Sequence, residues 1–334
     1  MKKRIAICYG TRPEYIKLKK IINLIPKTRR DVFFVGQHDK LISKNIFSKK
    51  ITILKNKKRL DSIFAQTILK INFNKVDSVL IQGDTASALA CAIAAFNQGK
   101  KIIYLESGLR SFDFKNPFPE EGYRQMISRI ADINLSPTLL SKKNLLNESV
   151  KGKIYVTGNT ALDNLIFLKK KTSYSNIVPI TLHRRENLNK INLWFRSINN
   201  IAKNYKNLKF IIPIHANPLI LKNSKIFTHV KVIKNLEHEK FINILKNSRF
   251  IITDSGGIQE EGSFFNKKII LCRTKTERPE GIKTGHILIC KRHDDLATIV
   301  NNVALNYKVN KKCPYGDGHS SKRIFRILKK EKIL

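Results

Sequence analysis

The chain has 334 residues, which suits two ordinary domains, each large enough to bury a core of its own. Hydrophobic residues at 42% exclude a disordered chain, no apolar run reaches the ~18–20 residues of a membrane helix, and five scattered cysteines exclude a disulfide framework or a metal knuckle. The formal net charge of +39 comes from lysine, 47 Lys against 17 Arg in short groups among Asn and Ile, so it reads as drift of exposed positions rather than as a nucleic-acid patch.

The elements follow in chain order. Met1 to Gly10 has a short basic head, but its apolar run stops at Gly10 and is followed by Arg12, Glu14 and Lys17. It therefore reads as a first strand, Ile5–Tyr9, and not as a signal peptide. Val32–Val35, Ser78–Ile81, Ile102–Leu105 and Ile133–Leu135 are further brief apolar runs between turn signals, the pattern of buried parallel strands. Helix formers fill the spaces between them, as in Ser87–Phe96. A second series follows: Val178–Leu182, Phe210–Pro213, Val230–Ile233, Phe250–Thr253 and Ile269–Leu271. The junction lies near residues 168–176, where Lys169-Lys170-Lys171-Thr172-Ser173 breaks the apolar pattern. The expectation is α/β with two Rossmann-like domains of parallel sheet. The first covers residues 1–168 plus a terminal helix at about 320–334, and the second covers 169–319.

Ligands of parallel sheets bind beyond the carboxyl ends of the strands, and the polar motifs sit there. Gly10-Thr11-Arg12-Pro13-Glu14-Tyr15-Ile16-Lys17 follows the first strand, with Pro13 suited to a first helical turn and Arg12 and Lys17 placed to reach an anion. Asp84 and Glu106 each end an apolar strand, and Glu120 follows the Pro-rich stretch Pro117-Phe118-Pro119. Clustered carboxylates perturb one another's pKa and suit proton transfer; the plain alternative for Asp84 is a helix N-cap. No histidine lies among these acids, so a metal site is not expected. In the second half His183, Arg184 and His215 follow strands, and Ser255-Gly256-Gly257 opens a helix whose bare N–H groups suit a phosphate. Glu261 lies further along that helix, where a carboxylate can accept from a ribose.

Taken in order, Gly-Thr-Arg-Pro-Glu, Gly-Asp-Thr, Glu-Ser-Gly-Leu-Arg, Pro-Glu-Glu, Thr-Gly-Asn-Thr, His-Arg-Arg-Glu-Asn, Asp-Ser-Gly-Gly-Ile-Gln-Glu-Glu, Glu-Arg-Pro-Glu and Tyr-Gly-Asp-Gly resemble the non-hydrolysing UDP-N-acetylglucosamine 2-epimerase family over about residues 4–326. The resemblance implies a glycosyltransferase-B type fold: two Rossmann-like domains facing across a cleft, with a C-terminal helix crossing back to the first. It also implies reversible C2 epimerisation of UDP-N-acetylglucosamine to UDP-N-acetylmannosamine through 2-acetamidoglucal, without metal or nicotinamide, by a cytoplasmic homodimer supplying surface polysaccharide precursors. By family pattern the catalytic residues are Asp84, Glu106, Glu120, Lys17 and His183. Arg12, Lys17, His183, Phe241, Ser255, Gly256, Gly257, Glu261 and Arg278 hold the UDP-sugar.

Bacterial members carry a second, activating site, which here maps to Gln37, Arg184 and His215, but the string reads Gln37-His38-Asp39-Lys40 where the family has Gln-His-Arg followed by Glu or Gln. The chain is also shorter than usual between Gln37 and Asp84. The rival readings are a hydrolysing epimerase, a 2-epimerase of a modified UDP-acetamido sugar and, from charge alone, a nucleic-acid binder; neither specific nucleic acid nor membrane insertion is expected.

Overall fold

The computed structural model of the chain describes residues 3–36, 49–54, 58–169, 172–214, 217–234 and 236–334. The chain divides into two compact units: residues up to Asn164 together with Gly316–Leu334, and Leu165–Tyr315.

The first unit is built on a seven-stranded parallel sheet, order β3-β2-β1-β4-β5-β6-β7. Its strands are β1 (Ile5–Tyr9), β2 (Arg30–Gly36), β3 (Lys49–Thr52), β4 (Ser78–Gln82), β5 (Lys101–Leu105), β6 (Ile133–Ser136) and β7 (Lys153–Val156). Successive side chains on a strand face opposite sides, and here both sides are covered. Ile5, Ile7 and Tyr9 pack with Leu80, Ile103 and Leu135 on one side. Ala6 and Cys8 pack with Phe33, Val79 and Ile81 on the other. This explains why β1, and β4 between its polar ends Ser78 and Gln82, read as apolar runs. Each fully buried Ile or Leu contributes roughly 1.5–3 kcal/mol.

The helix Ala86–Asn97 buries nine of its twelve residues, and its run of alanines lets it lie close to the sheet. The approach is tightest at Gly10, where a Cβ would sit 2.4 Å from Ser87 Oγ and 2.6 Å from the Val35 carbonyl oxygen. Only glycine fits that exit from β1. The terminal helix, Ser320–Lys330, belongs to this unit and buries Ile324 and Leu328 against the β1 core. Asp163 caps its start, accepting from the N–H groups of Ser320 at 2.9 Å and Ser321 at 2.6 Å.

The second unit holds a six-stranded parallel sheet, order β10-β9-β8-β11-β12-β13. Its strands are β8 (Ile177–Thr181), β9 (Lys209–Pro213), β10 (Lys231–Ile233), β11 (Ile251–Thr253), β12 (Ile269–Leu271) and β13 (Ile287–Ile289). Val178, Ile180, Trp194, Phe195, Ile252 and Ile270 form the centre of its core. In both sheets the strand order reverses once, between β1 and β4 and between β8 and β11. Those are the switch points at which such sheets bind ligands.

All ten strands expected from the sequence are present, with ends shifted by a few residues. Three strands were not expected: β3, β7 and β13 are all sheet edges. For β3 and β7 the reason is that an edge strand needs no continuous apolar run, and Lys49, Lys50 and Lys153 stand exposed on them, whereas β13 is a run of only three apolar residues. The terminal helix stops at Lys330, and Lys332 has a left-handed φ of 55°. No helix among the described residues is long and apolar enough to cross a membrane.

Candidate active site

The carboxyl edge of the first sheet gathers the acids. Glu106 directly follows β5, is buried, and holds φ at 68°, a left-handed conformation that costs a non-glycine residue about 1 kcal/mol or more. Its carboxylate is gripped from three sides. Lys17 Nζ lies 2.7 and 2.5 Å from its two oxygens, Gln82 Nε2 donates at 2.5 Å and Asn159 Nδ2 at 3.3 Å. The conformation is tolerated because these partners over-determine it, and the result is a carboxylate with a fixed direction.

Asp84 follows β4 and pairs with Arg124, whose Nε and Nη2 donate to Asp84 Oδ2 at 2.8 and 2.5 Å. Arg124 also binds the fully buried Glu121 at 3.2 Å. The N-cap of the helix after β4 is Thr85, whose hydroxyl accepts from Ala88 N, so the plain reading of Asp84 as a cap does not hold. Glu120 opens the helix Glu120–Ile130, which carries Arg124 one turn later. Arg124 therefore binds the start of Glu120's helix to Asp84. Beneath these groups lies the Tyr104 hydroxyl; burial pushes its pKa up, and the neighbouring Asp84 charge adds to the effect. Arg12 is exposed at the first position of the helix Arg12–Leu24.

In the second unit the buried Asp254 organises the edge. Its carboxylate accepts from the backbone N–H of His183 at 2.9 Å, from that of Arg184 at 2.9 Å and from Asn187 Nδ2 at 3.0 Å. It thus ties the loop after β8 to the loop after β11, leaving the His183 ring half-exposed. Ser255 precedes the helix Gly256–Phe264, and no side chain caps that helix start. A Cβ at Gly256 would come within 2.9 Å of Arg278 Nη1, whereas one at Gly257 would meet nothing within 4 Å. Arg278 therefore stands against the helix start.

Arg278 is buried and oriented by acids. Its Nε pairs with Glu260 at 2.5 Å and its Nη1 with Glu277. Glu277 in turn binds Arg273 at 3.1 Å, and Arg273 binds Glu186 at 2.7 Å. Removing one member of such a buried pair costs about 3–5 kcal/mol, so the chain of charges stiffens this rim. Glu261 lies 3.6 Å from His238 Nε2, and Phe241 sits three residues beyond His238 on the helix His238–Asn247.

The structure thus brings Lys17 to Glu106 and Asp84 to the Glu120 helix within the first unit. Within the second it brings Ser255, Gly256, Gly257 and Arg278 together, with Phe241 on the helix whose His238 meets Glu261. Arg184 enters through its backbone N–H, while Gln37 and His215 lie outside the described residues. Sequence reasoning gave no role to Gln82, Asn159, Asp254, Asn187 or Glu260. Asn159, Asn187, Asp254 and Glu260 each carried a signal as members of the motif strings, whereas Gln82 lies outside them.

The profile of the family described as UDP-N-acetylglucosamine 2-epimerase matches residues 28–329. The UDP-N-acetylglucosamine 2-epimerase of Campylobacter jejuni is 34% identical over 379 aligned positions, covering 99% of each chain. That of Bacillus subtilis (strain 168) is 33% identical, covering 98% of this chain and 96% of its own. The crystal structure of UDP-GlcNAc 2-epimerase from Neisseria meningitidis, bound to UDP-GlcNAc, matches with a TM-score of 0.87 at 30% identity, covering 98% of this chain and 100% of that one. Two parallel sheets of the glycosyltransferase-B type, with motifs in one order along nearly the whole length, make this chain a member of the UDP-N-acetylglucosamine 2-epimerase family.

Proposed function

We propose that the chain interconverts UDP-N-acetylglucosamine and UDP-N-acetylmannosamine by reversible elimination, without net hydrolysis. The observation that supports this most is the set of carboxylates at the ends of β4 and β5, each held in place by a buried cation or amide. As the C1–O bond to UDP breaks, its electron pair leaves with the UDP oxygen and positive charge builds at C1. That charge acidifies the C2–H bond, a carboxylate from the Asp84, Glu106 and Glu120 set takes the proton, and the C–H electrons become the C1=C2 bond of 2-acetamidoglucal. Return of UDP to C1 and of a proton to the opposite face of C2 gives the epimer.

The departing diphosphate needs fixed donors. The N-terminal N–H groups of the helix Gly256–Phe264, with Arg278 beside them, supply such donors, and Arg12 adds a cation in the first unit. Glu261 and Phe241 are assigned to the ribose and uracil. Lys17 holds Glu106 in line, and His183 stands at the edge of the diphosphate site on the loop that Asp254 fixes.

The test is incubation with UDP-N-acetylglucosamine in deuterated water, followed by NMR. The expected result is deuterium at C2, an equilibrium mixture of the two UDP-sugars reached from either side, and free UDP far below stoichiometric. Complete conversion to UDP and free sugar would place the chain among hydrolysing epimerases. No exchange at C2 would refute the reading.

A further inference from the structure

Glu14 lies inside the Gly10–Lys17 string, yet nothing above uses it. It is buried, 4% exposed, and its two oxygens do different things. Oε2 accepts from the backbone N–H groups of Gly10 at 2.6 Å and Thr11 at 2.8 Å. Oε1 accepts from the Thr85 hydroxyl at 2.6 Å, and the same hydroxyl accepts from Ala88 N at 3.2 Å to cap the next helix. A helix-capping box requires only the reciprocal bonds between Thr11 and Glu14. The bonds to Gly10 and Thr85 go beyond that requirement.

What they join is the loop after β1 and the loop after β4. These strands are neighbours at the reversal of strand order, so no crossover helix links them. The first loop leads to Arg12 and Lys17, and the second carries Asp84 immediately before Thr85. Gly83 turns the second loop at φ 83°, and a Cβ placed there would lie 3.7 Å from Glu14 Cγ, so the backbone passes directly over the Glu14 side chain. Burial raises the Glu14 pKa, the three donors oppose that rise, and the Asp84 charge adds to it. The two carboxylates therefore feel one another.

Resting on the epimerase reading above, we propose that Glu14 is a positioning residue that sets the spacing between the Lys17–Glu106 pair and Asp84 by tying the β1 and β4 loops together. It touches no substrate. Misplacement of reacting groups by about 1 Å can cost on the order of a hundredfold in rate, which is the scale on which a lost tie should act.

The experiment is a double-mutant cycle on Glu14→Ala and Thr85→Val, reading kcat, KM, C2 deuterium exchange, UDP affinity and melting temperature. Each single change should lower kcat and exchange by about 10- to 100-fold while KM and UDP affinity stay within about threefold. The double variant should be no slower than Glu14→Ala, because both changes cut one link. Glu14→Gln, which can still accept from the Gly10 and Thr11 N–H groups and donate to Thr85, should recover most of the rate. Wild-type kcat in folded Glu14→Ala, or effects that multiply in the double variant, would overturn the proposal. Should Glu14→Ala not fold, full kcat in folded Thr85→Val overturns it equally. Absence of C2 exchange in the wild type would instead refute the epimerase reading, so the two failures are distinct.

Discussion

Lys267 places an amine in the interior of the second unit, and Lys267→Met tests how that unit titrates. The side chain is fully buried, Nζ donates to the Ser173 carbonyl oxygen, and it lies 3.8 Å from the centre of the Tyr174 ring. Burial lowers its pKa from the ordinary 10.5 to about 7. Between those values the unfolded chain keeps a proton that the folded unit releases, so stability rises with pH across that window and is level below it. At about 1.36 kcal/mol per pH unit, going from pH 7 to 9 adds up to about 2.3 kcal/mol to the wild type relative to the variant. The carbonyl and the ring both favour the ammonium and take back part of this, leaving about 1–2 kcal/mol. The only tryptophan, Trp194, lies in the core of this unit, so urea unfolding followed by its fluorescence reports this unit. With an m value of about 2 kcal/mol/M, the gap between the two midpoints should change by roughly 0.5–1 M. A gap that stays constant from pH 6 to 9.5 would refute the argument and show that the ring keeps the amine charged.

The remaining predictions concern the same scaffold and the site. His286 has its pKa lowered to about 4, by burial first and then by the Lys169 and Lys311 charges, so the second unit should lose stability as pH falls from 6.5 towards 4. His286→Gln should flatten that acid limb by Trp194 fluorescence, and an unchanged limb would count against it. Gly257→Ala should leave the melting temperature of the free protein within a few degrees, because nothing lies within 4 Å, yet weaken UDP at least tenfold by calorimetry; unchanged UDP affinity would move the phosphate elsewhere. Asp84→Asn, Glu106→Gln and Glu120→Gln should each slow C2 exchange by ~10²–10⁴-fold, and wild-type rates in all three would remove the acid–base assignment. For the homodimer reading, Leu69 and Phe96 stand exposed on adjacent packed helices; Leu69→Glu with Phe96→Glu should halve the mass seen by light scattering, and an unaltered mass would place the interface elsewhere.

The sequence made the interior of the fold legible because a strand covered on both faces must be apolar along its centre, as in Ile5–Tyr9 and in residues 79–81 of Ser78–Gln82. The edges were not legible, since Lys49–Thr52 and Lys153–Val156 carry exposed lysines and obey no such rule. At the site, the acids could be located because each follows a buried strand. Their partners could not. Arg124 meets Asp84 across 40 positions, and Asp254 meets His183 across 71, so only the tertiary register brings them together. The plain expectation that Asp84 caps a helix failed for a local reason: the neighbouring Thr85 has the extended backbone and the hydroxyl that a cap requires.

The terminal helix, Ser320–Lys330, has a consequence for the order in which the chain can assemble. It completes a core whose strands were synthesised first, while residues 165–315 form a unit with no contribution from elsewhere in the chain. During synthesis at roughly 5–20 residues per second, Leu80 and Ile103 wait on the order of ten to fifty seconds for Ile324 and Leu328 to emerge. The second unit can therefore close before the first is finished. The nascent first unit spends that interval with an open apolar flank, the point at which a chaperone would be most needed and a frameshift or stop near residue 316 most damaging.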